Sequence, residues 1–140
     1  MKNFLIITIS LFSICFYGQT TYRDSVRKVT ESNTRGLTKY KLGDYQGAIQ
    51  DYNQALRLDS TYTYAYNNRG IAKKNLKDYQ GAIQDYNKAI ELKPNYAEAY
   101  YSRGIAKYNL SDTIGACLDW KKAKDLEYKG AIITINKYCK

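Results

Sequence analysis

Between residues 63 and 96, mostly apolar and small residues recur three or four apart. Tyr66, Gly70, Lys73 and Leu76 form one such series, and Tyr79, Ala82, Tyr86, Ala89 and Ile90 form a second. That spacing places each series on one face of an α-helix. Asn75-Leu76-Lys77-Asp78 separates the two series as a turn, with Asp78 placed to cap the second helix. Pro94 ends the pair, and Asp59-Ser60-Thr61 offers caps at the corresponding place one pair earlier. The connections are short, which predicts antiparallel neighbours. No two-residue alternation of the kind that builds strands is present, so the pattern predicts an all-α chain.

The pattern repeats. Asp44–Asn53 reads Asp-Tyr-Gln-Gly-Ala-Ile-Gln-Asp-Tyr-Asn, and the same ten residues return at Asp78–Asn87, 34 residues later. A third, degraded copy lies at Asp112–Lys121, where Gly115, Ala116, Asp119 and Trp120 keep the pattern. Three units of 34 residues follow: 29–62, 63–96 and 97–130. Gly36, Gly70 and Gly104 coincide between them, as do Ala48, Ala82 and Ala116, Ala55, Ala89 and Ala123, and the aromatics Tyr52, Tyr86 and Trp120. Such self-similarity marks a stack of identical helix pairs, in which each pair buries its apolar face against the next. Arg35, Arg69 and Arg103 recur together with Asp51, Asp85 and Asp119, which predicts ion pairs between helices. Residues 131–140 are expected to form a capping helix, with Ile132, Ile135 and Tyr138–Cys139 inside and Thr134, Lys137 and Lys140 towards water.

The N-terminal region has a different pattern. After Met1-Lys2-Asn3, the run from Phe4 to Tyr17 is almost wholly apolar or small, and Gly18 follows. This is the arrangement of a secretory signal peptide over residues 1–18, too short to cross a bilayer comfortably. Processing after Gly18 is expected, with a lipid anchor at Cys15 as the alternative. Residues 19–28 are polar and unpatterned and read as a linker. The chain is therefore expected to be exported, to a periplasmic, secreted or envelope-anchored location. Export leaves Cys117 and Cys139, an even pair that makes a candidate disulfide in an oxidising compartment.

Charge and chemistry narrow the function classes. The net charge is +9, spread as singles and short doublets, which makes nucleic acid an unlikely partner. There is no histidine, no Cys-x-x-Cys and no phosphate-binding loop. The usual general base and the commonest metal ligand are thus missing. No catalytic residues, metal site or cofactor are expected, and the chain is read as a non-enzyme.

With a small residue at unit position 8, alanine at 20 and 27, a large aromatic at 24 and Pro94 at 32, the units resemble the tetratricopeptide repeat family. The resemblance implies a right-handed α-solenoid of three helix pairs plus the capping helix. It departs in having lysine at position 11 (Lys39, Lys73, Lys107), where the family prefers tyrosine. The resemblance further implies a concave groove lined by positions 2, 5, 9, 12 and 13 of each first helix. In the first unit these are Thr30, Asn33, Leu37, Tyr40 and Lys41, and in the second Tyr64, Asn67, Ile71, Lys74 and Asn75. In the third they are Glu98, Tyr101, Ile105, Tyr108 and Asn109. The family's clamp for acidic chaperone tails wants Lys at position 5 and Asn at 9 of the first unit. Asn33 and Leu37 stand there, so that ligand is not implied. The implied function is an interaction module that binds a peptide or protein partner in the groove. The alternative is an architectural subunit or spacer in a cell-envelope assembly. Membrane contact is expected only through the signal peptide or the anchor at Cys15.

Overall fold

The computed structural model describes the backbone of residues 2–139, and side chains from residue 21 to residue 139. Among the described residues there are seven α-helices and no strand: α1 (Lys2–Lys41), α2 (Tyr45–Leu58), α3 (Thr63–Asn75), α4 (Tyr79–Leu92), α5 (Ala97–Asn109), α6 (Thr113–Asp125) and α7 (Gly130–Tyr138). Each helix packs on its sequence neighbours, and the first helices of successive pairs also touch, α1 with α3 and α3 with α5. The result is an α-solenoid of three helix pairs closed by α7. Residues 19–28, expected as a linker, are helical and continuous with α1. The side chains on which the processing and Cys15 readings rest lie outside the described residues.

The second helices start alike because their sequences start alike. Asp44, Asp78 and Asp112 each accept a hydrogen bond from the backbone N–H three residues on, at Gly47, Gly81 and Gly115, over 2.8, 2.9 and 2.8 Å. Each bond satisfies one of the amides a helix N-terminus leaves without a partner. The residue before each cap aspartate is left-handed: Gly43 (φ 82°), Lys77 (φ 64°) and Ser111 (φ 66°). Glycine meets that requirement without strain only in the first pair. Asp59, in contrast, does not cap α3. Its carboxylate accepts from the Thr61 amide and hydroxyl, while the N-cap is Tyr62, which makes no side-chain cap bond.

The core is a column of small residues and large rings. Ala48, Ala55, Ala82, Ala89, Ala116 and Ala123 are fully buried, as are Tyr52 and Tyr86, and Trp120 nearly so. A Cβ built on Gly70 would stand 2.7 Å from Tyr86 Cε1, and Gly36 and Gly104 meet Tyr52 and Trp120 in the same way. Glycine is required there because the ring of one helix lies flat against the backbone of the other. Leu76, placed by the spacing in the buried stripe, is instead the exposed C-cap of α3. The helix has ended by that residue, so the periodicity no longer governs where its side chain points.

In α7 the expected sides are partly exchanged. Ala131 is the buried residue, Ile132 is exposed, and Thr134 turns inward to hydrogen-bond Tyr101. Lys137 stays exposed as expected. A short cap meets only one neighbouring pair, so fewer of its apolar positions find cover.

Candidate functional site: the first-helix face

Polar nodes hold the layers in register behind this face. Arg35 Nε donates to Asp51 at 2.7 Å, and Arg69 and Arg103 do the same to Asp85 and Asp119 at 2.9 Å. The recurrent lysines complete each node: Lys39, Lys73 and Lys107 lie 2.8 Å from Oδ2 of the same aspartate. All three aspartates are buried. For Asp51, burial alone would raise the carboxyl pKa, but hydrogen bonds and charge from Arg35 and Lys39 outweigh it and hold it below the usual range. Arg69 and Arg103 also reach back one unit, to the side-chain oxygens of Asn53 and Asn87 at 2.6 and 2.7 Å. The lysine at position 11, unusual for the tetratricopeptide pattern, is thus the second cation of an internal ion-pair node. Its recurrence alongside Arg and Asp was the available signal.

The residues assigned to the groove divide into three groups. Asn33 and Asn67 are buried. The Asn33 side-chain oxygen accepts from Asn68 at 3.0 Å, linking the first and second layers. Asn67 is 1% exposed and neither of its amide atoms is hydrogen-bonded. The Tyr96 hydroxyl is beside it, and burial, only partly offset by the Asn67 side chain, raises the pKa of that phenol. A second group remains half-exposed: Leu37, Ile71 and Ile105, one per layer, with Tyr40 and Lys74 one turn further on. Asn75 joins two layers by donating to the Tyr40 hydroxyl at 3.1 Å and to the Ile71 carbonyl at 2.8 Å. Partial burial lowers the pKa of the Lys74 ammonium. Tyr64 is exposed and packs edge-on to Tyr62 and Tyr96, with the Lys93 ammonium over both the Tyr64 and Tyr96 rings.

The third group is turned towards the cap. Tyr101 donates to or accepts from Thr134 at 3.0 Å, and its ring lies 4.6 Å from Tyr128. Tyr108 packs 4.8 Å from Tyr138 and 5.8 Å from Trp120. Tyr101, Tyr108, Trp120, Thr134 and Tyr138, with Ile105, Ile133 and Lys137, line a cavity of about 470 Å³ between α5 and α7. Tyr101 and Tyr108 therefore do share one face of α5, but the face is the wall of a pocket formed with α7. Cys117 of α6 and Cys139, just after α7, form a disulfide across 22 residues, with Cα atoms 5.7 Å apart. It fixes the end of α7 beside this pocket. Among the described residues no cluster of metal-ligating side chains occurs.

Comparison with known proteins places this arrangement. The structure resembles the first TPR domain of Spaghetti (RPAP3), solved bound to the HSP90 peptide SRMEEVD, with a TM-score of 0.78 and 28% identity over 81% of this chain and 91% of that one. The Arabidopsis OM64 TPR domain aligns with a TM-score of 0.79 and 26% identity, covering 81% and 96% of the two chains. The second TPR domain of human RPAP3, in complex with the HSP70 peptide SGPTIEEVD, gives 0.78 and 27%, covering 83% and 98%. No curated protein sequence matches the chain. The TPR repeat model matches residues 36–77 and 75–111, more than half of the sequence. With its helix pairs, its glycine-on-ring crossings and that match, the chain belongs to the tetratricopeptide repeat family.

Proposed function

We propose that this protein is an exported interaction module that holds an extended peptide, or a peptide segment of a protein partner, against the first-helix face. The observation that carries the reading is the half-exposed aliphatic stripe Leu37, Ile71 and Ile105, flanked by Tyr40 and Lys74. It runs across all three layers, and the nodes and amide bridges behind it hold its register. A rigid face of this kind binds without ordering its own side chains first. Tyrosine adds contact area at low entropy cost.

The acidic chaperone peptides SRMEEVD and SGPTIEEVD occupy two of the similar domains. The first layer here presents Asn33, buried and bonded to Asn68, and Leu37 where a clamp for such tails needs Lys and Asn. Glu98 adds an exposed carboxylate to the third layer. A ligand with an apolar or mixed sequence fits this face better than a run of carboxylates. Export is supported by the apolar Phe4–Tyr17 run and by the Cys117–Cys139 disulfide, which suits an oxidising compartment.

The test is selection of displayed peptides on the purified protein, followed by affinity measurement with Ile71→Ser and Lys74→Glu variants. Selected peptides should bind either variant at least about tenfold more weakly, a loss of roughly 1.4 kcal/mol, with helicity retained. Peptides that bind both variants as well as the parent would place the site elsewhere. Failure to select any peptide would leave the architectural reading.

A further inference from the structure

The repeats supply an internal reference. Unit positions 18 and 22 are Gln46 and Gln50 in α2, and Gln80 and Gln84 in α4. All four are exposed although another pair follows each of these helices, so both positions face outward and not towards the next layer. In α6 the same positions are Ile114, 81% exposed, and Leu118, 63% exposed. Two polar residues have become aliphatic at outward positions that stacking does not use. The open end of a solenoid does not account for this, because the end of the stack lies in a different direction.

The surroundings change with them. Ile114, Leu118 and Lys121 line one shallow concavity with Cys117, Tyr138 and Cys139. Ile132 of α7 is also exposed, and the disulfide holds the end of that helix beside α6. Helix α2 has no lysine and α4 has only Lys88, whereas α6 has Lys121, Lys122 and Lys124, all exposed. Lys129 adds a further exposed cation just after α6, against Asp112, Asp125 and Glu127 as exposed acids. Exposed aliphatics, an exposed tyrosine and exposed lysines thus share the α6–α7 end of the molecule.

We propose that this outer face of α6 and α7 docks on an anionic lipid surface. Aliphatic side chains that enter the acyl boundary, together with lysines near headgroups, are the two signals that reversible membrane contact needs. Protein interfaces are enriched in arginine and depleted in lysine, whereas the exposed cations of α6 are all lysines. Contact between two copies through this face would oppose Lys121, Lys122 and Lys124 to the same residues. No helix among the described residues is long and apolar enough to cross a membrane. The proposal is independent of the first-helix face.

The experiment uses the full chain and a variant carrying Ile114→Gln, Leu118→Gln and Lys121→Asn. These are the residues that α2 and α4 carry at the same positions, so the substitutions suit the helix. Vesicles of phosphatidylcholine alone are compared with vesicles of equal parts phosphatidylcholine and phosphatidylglycerol, by co-sedimentation. Trp120, the single tryptophan, lies on α6, so quenching by brominated phosphatidylglycerol reports the approach of this helix and not of the N-terminal segment. The parent should prefer the anionic vesicles by about tenfold or more, and added salt should weaken that preference. The variant should lose the preference and the quenching while keeping its helicity. Quenching that is equal in parent and variant, or no preference for anionic vesicles, overturns the proposal. So does a dimer that forms without lipid and is lost in the variant, since the face would then be a protein contact.

Discussion

The second and third helix pairs share a plan and differ in what they do with it. Helix α4 begins Tyr-Gln-Gly-Ala-Ile-Gln-Asp-Tyr and α6 begins Thr-Ile-Gly-Ala-Cys-Leu-Asp-Trp. The shared residues are Gly, Ala and Asp, with an aromatic kept at the end. In α6 the Ala, Asp and aromatic are the buried positions: Ala116, Asp119 and Trp120. The changed residues are partly or fully exposed in both helices. Packing and the internal ion pair thus fix one set of positions, and the other set is free to acquire chemistry. Cys117 shows the transition most clearly, because it stands where Ile49 and Ile83 make apolar contacts and instead ties α6 to the cap.

The comparison can be broken first at the nodes. Asp85→Ala strands Arg69 and Lys73, whose side chains are only 19% and 22% exposed, and should cost about 3 kcal/mol in chemical denaturation. Asp119→Ala should cost about the same. Asp51→Ala should cost less, because the Arg35 side chain is 56% exposed and water can take over. Equal costs at all three would mean that burial of the cation does not set the energy.

Cys117→Ile writes the second pair's residue into the third. It removes the disulfide and should lower stability by about 3 kcal/mol in the chain-entropy model. The loss should appear as faster hydrogen exchange in α7 than in α3 or α4. Uniform exchange across the chain would show that the cap is held by Tyr138, Tyr108 and Trp120 alone.

Gly70→Ala and Gly104→Ala test the shared crossing. Each new Cβ meets a buried ring, so each should cost about 1–3 kcal/mol and lower the melting temperature. A melt unchanged by either substitution would mean that the ring has room to move.

Two smaller effects sharpen the picture. Lys77→Gly and Ser111→Gly copy Gly43 at a left-handed position and should stabilise by up to about 1 kcal/mol, seen as a raised melting temperature. Burial raises the phenol pKa of Tyr52 to about 12, and also raises those of Tyr86 and Tyr96. A raised folded pKa stabilises fully below the unfolded value near 10 and is lost as pH climbs through the folded one. Stability should therefore fall between about pH 10 and 12, with a late-ionising group of tyrosines in the absorbance titration. On the acid side the depressed Asp51 carboxyl works in the opposite sense. Its contribution is present above the ordinary carboxylate pKa and is lost as pH falls through its lowered value.

The sequence by itself determined the period, the helix pairs, the Asp78 cap and the small and aromatic residues of the crossings. These rest on local spacing and on contacts that recur every 34 residues, so three copies state the same rule. It also showed that Arg and Asp recur together, and the structure adds the lysine that completes each node. Only the tertiary structure decided which first-helix residues face solvent. Asn33, Asn67 and Tyr101 share one unit position, yet the first two are buried and the third meets Thr134 of the cap. Spacing places a side chain on a face, but the neighbouring layer decides whether that face is covered, and the third pair has a short helix there in place of another repeat. The same reason explains Ile132, which has the apolar character of an inner residue and no layer to pack against.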